Sequence, residues 1–148
     1  MKVREIMSKE VITLKPTDTY QVAAKLLVDK AISGFPVVDE AGKLVGILSE
    51  KDLIRVLYPF YQSFYKHPEL YLDLEEREGK IKEILNDPIS NFMTTEVVSC
   101  GPDMPIMEAA AIMLVKSVHR LPVIEDGQLV GIITRQDVYH QVFKHYAS

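Results

Sequence analysis

From Thr19 to Lys30 the apolar residues Val22, Ala23, Leu26 and Leu27 fall at i, i+1, i+4 and i+5, the stripe of an amphipathic helix, and Ser33-Gly34 closes it. Ahead of that helix, Val11-Ile12-Thr13-Leu14 is a short β-prone run ended by the turn-and-cap cluster Lys15-Pro16-Thr17-Asp18. Behind it, Phe35 to Val38 and Lys43 to Leu48 are two β-rich segments separated by Asp39-Glu40-Ala41-Gly42, whose acids and glycine suit a hairpin turn. Ser49-Glu50-Lys51-Asp52 then opens a second helix that runs through Leu57 and is stopped by Tyr58-Pro59. The predicted order is β-α-β-β-α.

The pattern then occurs a second time. Met7 to Leu53 can be laid on Met93 to Val138 at an offset of about 86 residues. Met7, Glu10, Val11 and Pro16 recur as Met93, Glu96, Val97 and Pro102, Ala23-Ala24 as Ala109-Ala110, and Pro36-Val37 as Pro122-Val123. After the loss of one residue in a turn, Gly42, Leu44 to Ile47 and Asp52 recur as Gly127, Leu129 to Ile132 and Asp137. The second copy therefore predicts a strand at Val97-Val98-Ser99, a helix with Pro105 near its first turn, strands over Leu121 to Ile124 and Leu129 to Ile133 around a turn at Glu125-Asp126-Gly127, and a last helix from Thr134 toward His145. The fold class is α+β, built from two repeats of α/β type packed as a pseudo-twofold pair. Repeat 1 covers residues 1–57, a connector 58–88 and repeat 2 residues 89–148.

Each repeat alone would be marginal, but 148 residues with 47% hydrophobic side chains can bury one joint core. The connector carries Tyr58, Phe60, Tyr61, Phe64, Tyr65 and Tyr71 and then the acidic run Asp73 to Glu78. It is too apolar for a flexible linker and predicts one or two further helices, with part of the aromatic set covered by the repeats or a second subunit. Seventeen basic against 21 acidic residues give a net charge of −4 without a Lys/Arg-rich run, which argues against nucleic acid as a partner. Cys100 is the single cysteine, so an intrachain disulfide and the C-x-x-C zinc patterns are excluded. No secretory or membrane-spanning segment is evident, and a cytoplasmic, soluble protein is expected.

The chemistry concentrates in one string that ends each hairpin. Gly46-Ile47-Leu48-Ser49-Glu50-Lys51-Asp52 and Gly131-Ile132-Ile133-Thr134-Arg135-Gln136-Asp137 both read G-h-h-[ST]-x-x-D, where h is apolar. A hydroxyl followed three residues later by an acid suits a helix-capping box. The same geometry also gathers a hydroxyl, free backbone N–H groups and a carboxylate at a helix N-terminus, where the N–H groups favour phosphate and the carboxylate can accept both hydroxyls of a ribose. Other candidates are weaker. His67, His140 and His145 show no ligand spacing with Cys100, Cys100 has no base nearby in sequence, and Met93, Met104, Met107 and Met113 suit core filling. No catalytic residue and no metal site are assigned.

The repeat, its β-α-β-β-α order, the h-P-V-[VI] strand and the terminal string resemble a tandem pair of CBS (cystathionine β-synthase) domains, a Bateman module. The resemblance covers almost the whole chain outside the connector. It implies a non-enzymatic sensor that takes an adenosine nucleotide such as AMP, ADP or ATP as a regulatory ligand rather than a cofactor, forms a homodimer and signals to an effector protein. The alternatives are a sensor of S-adenosylmethionine or NAD, or a ligand-free scaffold in which both strings are only caps. Carried onto this sequence, the family pattern assigns Asp52 and Asp137 to ribose and Ser49 and Thr134 to the ribose–phosphate region. Intertwined packing in the family implies one cleft from Ile12, Thr13, Ser33, Gly34 and Pro36 with Thr134 and Asp137, and another from Val98, Ser99, His119, Arg120 and Pro122 with Ser49 and Asp52. His119-Arg120 stands where the first copy has Ser33-Gly34, and a similar pair lines a phosphate site in a nucleotide-sensing member of the family. The second cleft is therefore expected to be the better anion site.

Overall fold

The computed structural model describes residues 1–56 and 79–147. The chain forms α1 (Val3–Ile6), α2 (Tyr20–Lys30), β1 (Gly34–Val38), β2 (Leu44–Ser49), α3 (Glu50–Arg55), α4 (Ile81–Ile84), a 3-10 turn (Ile89–Asn91), α5 (Ile106–Val115), β3 (Arg120–Glu125), β4 (Gln128–Thr134) and α6 (Arg135–Tyr146). It is a mixed helix-and-strand fold with two small two-stranded sheets, β1-β2 and β3-β4. Thr19 caps α2 through its side chain, and Ala31 ends that helix in the left-handed region. In the β3-β4 hairpin Asp126 and Gly127 both take positive φ, which fits a two-residue turn of the type that matches strand twist.

Two expected strands are reduced to single bridges. Val11 to Leu14 contributes only Leu14, paired in parallel with Val37, and Val97 to Ser99 contributes nothing, the pairing falling one residue later between Cys100 and Val123. A proline follows two residues after each bridge, at Pro16 and Pro102, and a residue without an N–H cannot extend a ladder. The second helix of the first copy ends at Arg55 with Val56 as its cap. Leu57, most of the connector, its aromatic residues, His67 and the acids at 73–78 lie outside the described residues.

The chain divides into two compact units that do not follow the order of the repeats. One comprises Met1–Ile12, Asp39–Leu44 and Glu96–Ser148; the other comprises Thr13–Val38 and Val45–Thr95. In the first unit Val3 is fully buried in a core with Ala109, Met113, Leu121, Val123, Ile133 and Val138. The leading segment is fastened there by backbone bonds from Val3 N to Met104 O (2.9 Å), from Arg4 N to Pro102 O (2.8 Å) and by a two-way bridge between Ser8 and Ile132. In the second unit Ile89 takes the corresponding place in a core with Leu14, Tyr20, Ala23, Phe35, Val37, Leu48 and Leu53. Its segment is fastened by Ile89 N to Asp18 O (2.7 Å) and by a two-way bridge between Thr94 and Ile47. The segment that leads each sequence repeat is thus buried with the body of the other.

Two glycines make this fastening possible. A Cβ on Gly46 would stand 2.7 Å from Met93 Sδ and 3.1 Å from Thr94 O, and one on Gly131 would stand 2.6 Å from Met7 Sδ and 2.9 Å from Ser8 O. Among the methionines expected to fill core gaps, Met113 is fully buried and Met93 and Met104 pack against the two cores. Met107 is the exception. It is 62% exposed, because its position on α5 faces away from the core that Ile106, Ala109, Ala110 and Met113 enter.

Candidate functional site

Each G-h-h-[ST]-x-x-D string carries its chain from a strand into a helix, and in both the acid sits at the third helical position. At the second string the reciprocal box is complete: Thr134 N donates to Asp137 Oδ2 at 2.9 Å and Asp137 N donates to Thr134 Oγ1 at 3.1 Å. At the first, Ser49 N and Ser49 Oγ both donate to Asp52 Oδ2, at 2.8 and 3.1 Å. Its other oxygen accepts Thr94 Oγ1 at 3.2 Å and the Arg55 guanidinium. Capping is therefore one role of both strings. It leaves open what the carboxylates can also hold.

The sequence-derived site residues fall in both compact units. Thr13, Ser33, Gly34, Pro36, Ser49 and Asp52 belong to one, and Ile12, Val98, Ser99, His119, Arg120, Pro122, Thr134 and Asp137 to the other. Inside the first group, Glu50 N donates to Ser33 O at 3.0 Å, which sets the Ser33-Gly34 corner beside the start of α3. Inside the second, Arg135 N donates to His119 O at 3.0 Å and Arg120 pairs in register with Thr134, so His119-Arg120 borders the start of α6. Arg135 pins this corner further by donating from Nε to Val118 O and from its terminal nitrogen to Met113 O, both at 3.0 Å. Gly34, Pro36 and Pro122 are buried, Ile12, Thr13, Ser99 and His119 are exposed, and Ser33, Val98, Arg120, Thr134 and Asp137 are in between. Arg55 and Thr94, which touch Asp52, were not among the sequence-derived residues. The i,i+3 spacing of Asp52 and Arg55 was the available signal, and it has no counterpart after Asp137, where His140 stands.

The family model for the CBS domain matches residues 3–59 and 89–144. The chain belongs to the CBS domain family. A CBS relative from Methanocaldococcus jannaschii, the uncharacterized protein MJ1426, is 33% identical, with 93% of this chain and 89% of that protein covered. The solved structure of CBSX2, a CBS-pair protein from Arabidopsis thaliana, in complex with AMP is 28% identical, with 98% of each chain covered and a TM-score of 0.73. The CBS domain pair of protein MJ0100, in complex with 5′-methylthioadenosine and S-adenosyl-L-methionine, is 27% identical over 98% of each chain with a TM-score of 0.72. Similar CBS pairs thus hold adenosine-containing ligands. Other relatives are longer, and this CBS chain spans 23%, 40% and 14% of three of them.

Among the described residues there is no cluster of three or more His, Cys, Asp or Glu able to hold a metal, and no helix is long and apolar enough to cross a membrane. Cys100 is buried and burial pushes its thiol up to about 11. A folded-state value raised above the unfolded one keeps its contribution to stability below the unfolded pKa of about 8.5 and loses it as pH rises toward 11. The expected result is a thiol inert to Ellman's reagent at pH 7.5 in the native protein and reactive after denaturation, with melting temperature falling from about pH 8.5 upward.

Proposed function

We propose that this CBS pair is a non-enzymatic sensor that binds an adenosine nucleotide, AMP or ATP, and passes its occupancy to another protein. The observation that carries the reading is the recurrence of a carboxylate three residues after a Ser or Thr cap at two helix starts, one of them with an oxygen open to a ligand: Asp137 Oδ2 is held by Thr134 N, and Oδ1 has no hydrogen-bond donor among the described residues. Binding of AMP by CBSX2 supports the nucleotide class, and binding of 5′-methylthioadenosine and S-adenosyl-L-methionine by the MJ0100 pair keeps sulfur-bearing adenosines, S-adenosylmethionine among them, as the alternative ligand. Occupancy shifts a population only if the ligand binds two states of the protein unequally.

Differential scanning fluorimetry with AMP, ATP, S-adenosylmethionine and NAD tests this. A ligand at a hundred times its Kd adds about 2.7 kcal/mol of stability, and an unchanged melting curve with all four would replace the sensor by the scaffold reading. The phosphate contact has its own test. Arg120→Ala is expected to weaken AMP about tenfold while leaving adenosine nearly unchanged, because it removes the guanidinium fork and not the adenine wall. Equal losses for both ligands would assign Arg120 to the fold.

A homodimer in the cytoplasm completes the proposal. It is supported by the apolar residues that α5 and α6 leave outside the core, among them Leu114, Val115, Phe143 and Tyr146 at 57%, 79%, 65% and 80% exposure. Light scattering of the unmodified chain reads the mass directly.

A further inference from the structure

Asp52 is 4% exposed, and four donors converge on its two oxygens: Ser49 N and Oγ on Oδ2, Arg55 and Thr94 Oγ1 on Oδ1. An ionised carboxylate offers about four lone-pair sites, so this one is filled from within the chain. Asp137 differs at each step. Its surroundings are half-buried, its cap occupies Oδ2 alone, and the residue three positions on is the exposed His140 rather than an arginine. The counterpart of Thr94 is Ser8, which makes the same backbone bridge but turns its hydroxyl toward Glu10 O at 3.5 Å.

We infer that Arg55 latches Asp52 and makes the sensor one-sided, with the ribose held on Asp137 while Asp52 takes a ligand only after its guanidinium is displaced. This rests on the nucleotide reading above. At Asp137 a ribose diol meets Oδ1, which has no donor to displace among the described residues, while Oδ2 keeps the Thr134 cap. At Asp52 the diol must replace a charge-assisted bond to a buried carboxylate, and two neutral hydroxyls do not restore the lost charge pairing. The latch itself can open, since the Arg55 side chain is 46% exposed and its guanidinium can exchange Asp52 for water. Arg55 is therefore a specificity residue that acts through Asp52 and sets how many nucleotides the chain holds. His119 and Arg120 border Thr134 within their own unit, so on this reading the phosphate-binding pair serves the Asp137 site and not the cleft of Ser49 and Asp52 to which the family pattern assigned it.

Calorimetry with AMP on the intact chain and on Arg55→Ala and Arg55→Gln provides the test, beside amide NMR of the unmodified protein, which needs no variant to fold. The expected result is one equivalent of AMP for the parent and two for either variant, the second site at least tenfold tighter than in the parent. At one equivalent the amides of Thr134 to Asp137 should move while those of Ser49 to Asp52 stay. Two equal sites in the parent, a single site in both folded variants, or first movement at Ser49 to Asp52 would each overturn the latch and leave the nucleotide reading standing. Absence of AMP heat and of shifts from the parent and both variants would overturn both.

Discussion

Gly131→Ala is expected to lower the stability of the chain by about 3 kcal/mol, the upper end of the range for overpacking a close-packed interior, which for a chain of this size is a drop of roughly 10 °C in melting temperature. The added Cβ would lie 2.6 Å from Met7 Sδ and 2.9 Å from Ser8 O. The thioether can swing away. The carbonyl cannot, because it accepts Ile132 N at 3.0 Å while Ser8 N donates back to Ile132 O at 2.9 Å. Relief of the clash therefore means breaking the bridge that fastens the leading segment to β4. A Met7→Ala partner substitution should recover only the share due to sulfur, and the remainder measures the backbone contact in a double-mutant cycle. Thermal melts of the four proteins give both numbers, and a Gly131→Ala protein as stable as the parent would mean that this segment is not seated as described. Gly46→Ala should cost less, since its nearest backbone atom, Thr94 O, is 3.1 Å away.

Asp137→Ala should weaken AMP by about 2 kcal/mol, some thirtyfold, the range for hydrogen bonds to a charged group. It also removes half of the capping box on α6, for a further loss of about 1 kcal/mol in stability. Asp137→Asn separates the two effects, as the amide can still cap the Thr134 N–H but presents a weaker, uncharged acceptor to a diol. Calorimetry gives the affinity and chemical denaturation the stability. If both variants bind AMP as the parent does, the carboxylate does not hold ribose.

The sequence carried the helices and hairpins well because their signals are local: the stripe of Val22, Ala23, Leu26 and Leu27 became α2, and Asp126-Gly127 became the tight turn between β3 and β4. Leu14 and Cys100 show where that reading weakens, since a β-prone run pairs only as far as its neighbours and following proline allow. The helix Val3–Ile6 was not anticipated; four residues are too short to show a period, and its stability comes from Val3 entering the core. The exchange of leading segments was not read from the sequence, because apolar residues such as Val3 and Ile89 record that they will be buried and not beside what. At the site, the repeated Asp was plain in the string, whereas its unequal company was not. Thr94 lies 42 positions from Asp52, and a distance of that kind becomes contact only through the fold.

The exchanged segments also govern the order in which the chain can fold. Val3 and Val138 share one core, so the unit to which α1 belongs is completed only when α6 has left the ribosome, whereas the unit that spans Thr13 to Thr95 can close earlier. The closing loop is long and its entropic cost grows only slowly with length, so the penalty is one of time more than of stability. For the same reason a cut in the connector would yield two fragments that each hold a leading strip without its core and a core without its strip. Neither fragment is a domain in its own right. Together they carry complementary halves of both cores, and this interlocking makes the pair suited to reassembly from split chains.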